Sequence, residues 1–124
     1  MYIGKLSKQT GLSVKAIRFY EEKGLIPTPE RVGKYRVYSQ VDVDLLLLIK
    51  EAKLLGVSIK QLQQVIEIKG RQVNWVEINT FLVELKASCI EQVAQLQQKI
   101  HRIEHCIASL DECPQIKLSQ SQVE

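Results

Sequence analysis

The sequence predicts an all-α chain with a small β wing, in which a winged helix-turn-helix head is followed by one long dimerisation helix. Three patterns carry that prediction. Within the first forty residues, apolar positions fall into two short helical sets separated at Thr10-Gly11. Pro27, Pro29 and Gly33 then break the helical rhythm ahead of a run of aromatic and β-branched residues. Towards the end of the 124 residues, apolar side chains recur at heptad spacing through a stretch, 76–112, that contains neither glycine nor proline.

Ile3, Leu6, Leu12, Val14 and Ile17 anchor the two head helices. Ser13 is placed to cap the second, because its hydroxyl can accept from the free amides of the first turn, and Gly24 is placed to end it. In "PTPERVGKYRVYS" the prolines forbid helix, and a two-stranded wing with its tip at Gly33-Lys34 is expected. Ser39-Gln40-Val41-Asp42 has the form of a capping box with Asp in the usual Glu position, opening a helix through "VDLLLLIKEAKLLG" that Gly56 ends. Ser58-Ile59-Lys60-Gln61 is a second capping box, and the helix it opens is expected to run to about Gly70.

The remainder is the most regular part of the chain. Val93, Leu96, Ile100, Ile103, Ile107 and Leu110 alternate spacings of three and four, the seam of a coiled coil. Ile78, Leu82, Leu85 and Cys89 continue the seam upstream, with one slip of register after Cys89. A helix over residues 74–112 would be roughly 58 Å long at about 1.5 Å per residue, too long to bury its seam against a head of this size. A hairpin within the chain would need a turn signal that residues 76–112 lack, so the seam requires a second copy of the chain.

Charge is unevenly spread. Residues 1–40 hold eight Lys and Arg against three acids, a balance of +5, whereas residues 41–124 hold nine against eleven, a balance of −2. A basic head of this kind is built to meet an anion. No window reaches the roughly 18 apolar residues of a membrane span, and Met1 leads straight into patterned sequence, so a cytoplasmic protein with no membrane partner is expected. Three cysteines, an odd number without a secretory signal, predict reduced thiols. There is no Ser-His-Asp set, Gly-rich phosphate loop or metalloprotease spacing, and no enzyme is expected.

The stretch "KAIRFYEEKGLI", residues 15–26, concentrates the chemistry of the head. As an α-helix it puts Lys15, Arg18 and Glu22 on roughly one side and turns Ala16, Ile17 and Tyr20 towards the core or its margin. Alone, that is a solvated face beside aromatic rings. In the second helix of a helix-turn-helix, however, Lys15 and Arg18 lie where the base edges and phosphates of a DNA major groove come within reach. Arg31, Lys34, Tyr35 and Arg36 of the wing supply a second basic element, and the two together form a clamp for the phosphates of double-stranded DNA. Glu21 and Glu22 either pair with cations of the fold or exclude wrong bases.

The segment "IGKLSKQTGLSVKAIRFYEEKGLIPTPERVGKYRVYS", followed by a helix ending "AKLLGVSIKQLQQVI", resembles the MerR family of bacterial transcriptional regulators over residues 1 to about 70. "IRFYEEKGLI" and the later "RVYS" are its most specific motifs. The resemblance implies a homodimer of winged-helix heads joined by an antiparallel coiled coil. It also implies that an effector makes the dimer bend and untwist a promoter with an over-long spacer, so that RNA polymerase can engage both promoter elements; the signal is then stored in DNA shape. By matched position, Lys15 and Arg18 would enter the groove, Tyr20 and Tyr38 would contact or buttress phosphates, and Arg36 with Lys34 would grip the backbone from the wing. The wing departs from the family pattern: where an Asn-Gly pair often precedes the Tyr, Val32-Gly33-Lys34-Tyr35 is a residue shorter and supplies an extra cation. The expected organisation is a DNA-binding domain over residues 1–70, a dimerisation helix over 71–113 and a flexible tail over 114–124. Leu82, Leu85 and the seam residues from Val93 to Leu110 form the expected interface.

The effector is open at this level. Family members often carry two cysteines in a loop after the dimerisation helix; Cys113-Pro114 looks like the start of such a loop, but no thiol follows. Cys106 lies about 10 Å earlier along an intact helix, whereas two sulfurs on one ion sit within about 4 Å of each other. In an antiparallel pair centred near residues 98–100, Cys89 of one chain would approach Cys106 and Cys113 of the other. A thiophilic metal ion or an oxidant sensed by Cys89, Cys106 and Cys113 is therefore one candidate effector. The alternative is that the thiols only pack, with Cys89 filling the seam, and that the effector is an organic molecule, for which Trp75 and Phe81 could line a pocket. His101 and His105 fall on the outer face of the heptad and read as surface residues. No cofactor is needed for the fold. The rival from another class is a coiled-coil adaptor without DNA binding, which the tail alone would serve and which has no use for a basic head.

Overall fold

The computed structural model describes residues 1–112; Cys113 and the expected tail over 114–124 lie outside the described residues. Two compact units follow one another along the chain, Met1–Phe81 and a second from Leu82 onward. The first holds α1 (Ile3–Thr10), α2 (Val14–Glu22), a hairpin of β1 (Glu30–Val32) and β2 (Tyr35–Val37), α3 (Gln40–Leu54), α4 (Ile59–Val65) and a hairpin of β3 (Ile68–Lys69) and β4 (Gln72–Val73). The last helix, α5, covers Trp75–Glu112; it begins within the first unit, and its residues from Leu82 onward are the described part of the second.

Local chemistry sets each junction of the head. Thr10 closes α1 by turning its hydroxyl back to donate to the Leu6 carbonyl at 2.9 Å, and Gly11 then adopts φ 73°, a conformation that strains any residue with a Cβ. Ser13 Oγ accepts the Ala16 N–H at 3.1 Å, so α2 restarts at once and the two helices form a tight corner. Asp42 accepts the Ser39 N–H at 2.7 Å to open α3, and Gln61 accepts the Ser58 N–H at 3.0 Å to open α4. Leu6 of α1, Ile17 of α2, Leu25 after it, and Leu45, Leu46 and Ile49 of α3 are completely buried. At about 1.5–3 kcal/mol for each such side chain, this cluster holds α1 against both α2 and α3.

The first hairpin pairs Glu30 with Val37, Arg31 with Arg36 and Val32 with Tyr35 in antiparallel register. Its base is tied to the start of the chain, where the Tyr38 N–H donates to the Met1 carbonyl at 2.7 Å.

One element differs from expectation. α4 stops at Val65, with Ile66 in extended backbone, and does not reach Gly70. Val65, Ile66 and Ile68 are β-branched, which favours strand, and Gly70 at φ 65° supplies the turn of a second hairpin in which Ile68 faces Val73 and Lys69 faces Gln72. Asn74 then caps α5, its Oδ1 accepting the Glu77 N–H at 3.2 Å.

Within the second unit, Val93, Leu96, Ile100, Ile103 and Ile107 are each 51–56% exposed, and Leu82, Leu85 and Leu110 are partly covered. An aliphatic row this long and this open is a surface whose burial would be favourable. Among the described residues, no helix is long and apolar enough to cross a membrane.

Candidate nucleic-acid interface

Because Ser13 fixes where α2 begins and Ile17 is buried beneath it, the next residue round the helix, Arg18, is turned outward. There it shares a single open cavity of about 400 Å³ with Arg31, Lys34 and Arg36 of the wing. Tyr2 and Tyr35 complete the wall, their ring centroids 5.6 Å apart and tilted by 53°. Lys15 is exposed in the first turn of α2 but does not line this cavity, and Tyr20 is half-buried beside Phe19.

The wing register makes the electrostatics sharper. Arg31 and Arg36 stand directly opposite each other, and like charges in that position destabilise a two-stranded ribbon. Arg36 is relieved by Glu21 of α2, whose Oε2 lies 3.3 Å from its guanidinium. Arg18, Arg31 and Lys34 have no acidic partner among the described residues. Four cations against one carboxylate around one cavity make a site for an extended anion, and the two exposed rings add faces suited to the sugar and base surfaces of a nucleic acid.

Tyr38 stands behind the groove. It is 2% exposed, and its hydroxyl donates to Glu21 Oε1 at 2.9 Å. Burial, and then that bond to Glu21, push its phenol up to about 12. Of the two roles expected for Tyr38, contacting or buttressing phosphates, a ring closed off from solvent with its hydroxyl committed to a carboxylate is placed for the second.

Two participants went unassigned in the sequence. Tyr2, beside the start of the chain, has no periodic signal, and only the backbone pairing of Met1 with Tyr38 brings it to the wing. Arg71, at the tip of the second hairpin, places Nε 3.3 Å from Glu30 and donates to the Thr28 carbonyl at 3.3 Å, tying the two hairpins together.

Among the described residues, the two thiols lie far apart. Cys89 and Cys106 are free and exposed on α5, seventeen residues apart. That separation is roughly 25 Å of helix, whereas two thiolates on one ion need to be within about 4 Å. Among the described residues, no cluster of three or more His, Cys, Asp or Glu could hold a metal ion, and Cys113 lies outside them. His101 and His105 are both exposed, as are Trp75 and, in part, Phe81.

A basic helix-turn-helix with its wing is shared by many folds, and comparison with known proteins narrows it. The family described as "MerR HTH family regulatory protein" matches residues 1–68, more than half of the chain. The chain belongs to the MerR family. Consistent with this, the mercuric resistance operon regulatory protein of Bacillus cereus is 36% identical over 118 residues, spanning 93% of this chain and 86% of that one. Among solved structures, a putative MerR family transcriptional regulator from Listeria monocytogenes is 22% identical and superimposes with a TM-score of 0.59, covering 99% of this chain and 97% of that one. HiNmlR, a MerR family regulator lacking the sensor domain and solved bound to promoter DNA, is 21% identical with a TM-score of 0.51, covering 98% and 86%. These likenesses establish the fold, a winged helix-turn-helix head followed by a long coiled-coil helix. As a MerR-family member, the chain is a DNA-binding transcription regulator and not an enzyme.

Proposed function

We propose that the chain works as a homodimer, each head gripping promoter DNA through the groove between α2 and the wing, with two paired α5 helices holding the heads apart. The cationic groove carries this reading. Arg18, Arg31 and Lys34 converge on one cavity without acidic partners among the described residues, and the opposed arginines of the wing gain most when a phosphate comes between them. Lys15, exposed one turn before Arg18, is the residue to which a base edge is assigned. Residues 1–70 are assigned to DNA binding and 71–113 to pairing. An effector acting on this dimer then changes the shape of the duplex between the two heads, and RNA polymerase in the cytoplasm reads the result.

The test is a titration of the dimer into random-sequence duplex at rising salt. Each phosphate contact adds roughly 0.9 to the slope of log affinity against log salt, so a steep slope is expected, together with a drop of about one unit per head in Arg18→Ala and no change in dimerisation. Full affinity in Arg18→Ala would remove that residue from the interface. Absence of duplex binding at any salt would favour an adaptor.

A thiophilic metal remains the effector favoured by one observation, the likeness to a mercuric resistance regulator. Since one chain cannot bring Cys89 and Cys106 together, such a site has to be shared between two chains, with Cys113 as the third donor. Native mass spectrometry of the dimer with Hg(II) tests it. Bound ions that disappear in Cys89→Ser support the shared site, and ions retained by that variant exclude Cys89 from it.

A further inference from the structure

We infer that Glu21 is a positioning residue of the DNA interface: it holds one edge of the Arg36 guanidinium so that the remaining N–H groups face the groove, and Tyr38 holds Glu21 for that task. This rests on reading the groove as the DNA site.

Both oxygens of the Glu21 carboxylate are committed. Oε1 accepts the Tyr38 hydroxyl at 2.9 Å and Oε2 lies 3.3 Å from Arg36 Nη1. The anchor is rigid, because Tyr38 sits in the core, while the guanidinium at the other end is a third exposed and lines the groove. A guanidinium has five N–H donors in a fixed fork, so one edge can be held while the other stays available to a phosphate. Without the carboxylate, Arg36 would face Arg31 across the ribbon with nothing to offset their repulsion, and its long side chain would leave the groove. Glu21 thus joins the recognition helix to the second wing strand at the point where both must meet one backbone.

The sign of a single substitution separates this role from simple charge. A carboxylate beside a phosphate site opposes DNA by electrostatics, so neutralising it would tighten binding if charge alone mattered. Positioning demands the reverse. The experiment measures affinity for a random-sequence duplex, at several salt concentrations, of the full chain and of E21Q, R36A, E21Q/R36A and Y38F. The E21Q variant is expected to bind roughly fivefold more weakly than wild type although its head is more positive, on the scale of one charge-assisted contact. In the R36A background the same change is expected to cost nothing or to tighten binding, and Y38F is expected to lose affinity in the same sense but less. Circular dichroism establishes the fold of each variant; if E21Q does not fold, Y38F with and without R36A carries the test, since it leaves the carboxylate in place. Wild-type or tighter binding by E21Q, or an equal loss with and without Arg36, overturns the inference. If R36A itself binds like wild type, the groove reading fails instead; if R36A weakens binding and E21Q does not, only the positioning role falls.

Discussion

Lys50 of α3 holds the end of α1: its Nζ lies 3.2 Å from the Thr10 carbonyl oxygen. The last carbonyls of a helix lack intrahelical partners and carry the negative end of its dipole, so an ammonium here satisfies both needs. Gly11 leaves room for it, since a Cβ at that position would come within 2.8 Å of the same Nζ. The contact adds a tie from α3 to the corner between α1 and α2 that Thr10, Gly11 and Ser13 form.

Lys50→Met is expected to lower stability by about 1.5 kcal/mol, the low end of the range for a hydrogen bond involving a charged group, because the contact is only partly buried. Gly11→Ala is expected to cost at least about 1 kcal/mol for its backbone alone, and more because the new methyl group displaces the ammonium. The double variant should lose less than the sum of the two, as one change has already undone what the other removes. Urea denaturation of all four proteins measures this, and strictly additive losses would show the two residues to be independent.

Replacing Ile100 with Lys puts a cation in the middle of the seam, where the single chain leaves the isoleucine 54% exposed. The variant is expected to sediment as a monomer at micromolar concentration and to bind duplex far more weakly than wild type, because one head then binds without its twin. A dimer that survives the change would place the interface elsewhere on α5.

Asp42 offers a pH signature. It is completely buried, and its Oδ1 has no hydrogen-bond partner among the described residues. Burial, as the main cause, raises its pKa above the ordinary 3.8. An acid raised in this way binds its proton sooner in the folded chain than in the unfolded one, so stability falls as pH climbs through the window above 3.8 and recovers as pH drops back. Other carboxylates destabilise the protein in acid, so the comparison is with Asp42→Asn. The difference in Tm between the two should shift in favour of wild type from about pH 7 to about pH 4.5. A difference that stays constant over that range would assign Asp42 an ordinary pKa.

Tyr38 gives the alkaline counterpart. With its phenol pushed from the ordinary 10.0 up to about 12, the folded chain keeps a proton that the unfolded chain has lost. Its contribution to stability is present below about pH 10 and disappears as pH rises towards 12. In an absorbance titration, a phenol step near pH 12 is expected that is missing from Tyr38→Phe. Identical alkaline titrations of wild type and Tyr38→Phe above about pH 11 would contradict the burial of this ring.

The parts of the head that are legible in the sequence are those fixed by neighbours a few residues apart. Ser13, Ser39 and Ser58 announce helix starts because capping is local, and Pro27, Pro29 and Gly33 announce the first hairpin for the same reason. The second hairpin is not legible: its strands are two residues long, too short to show alternation, and Gly70 reads equally well as the end of a helix. In the groove, Arg18, Arg31, Lys34 and Arg36 are visible as charges on a helix and a ribbon. Tyr38 looks like Tyr35 until packing separates them, one 2% and the other 66% exposed. The part played by Glu21 is invisible as well, because its partners lie fifteen and seventeen residues away and meet it only once the wing has folded onto α2.

Arg71 clasps the first hairpin at two places, the Glu30 carboxylate and the Thr28 carbonyl. Each contact is exposed and weak by itself, but together they set an orientation. A ribbon with strands of three residues would otherwise rock freely, and this one has a rear stay. Arg31 is the next residue along from Glu30, so this stay is fastened one step from a cation of the groove, on the side away from the duplex it is proposed to hold.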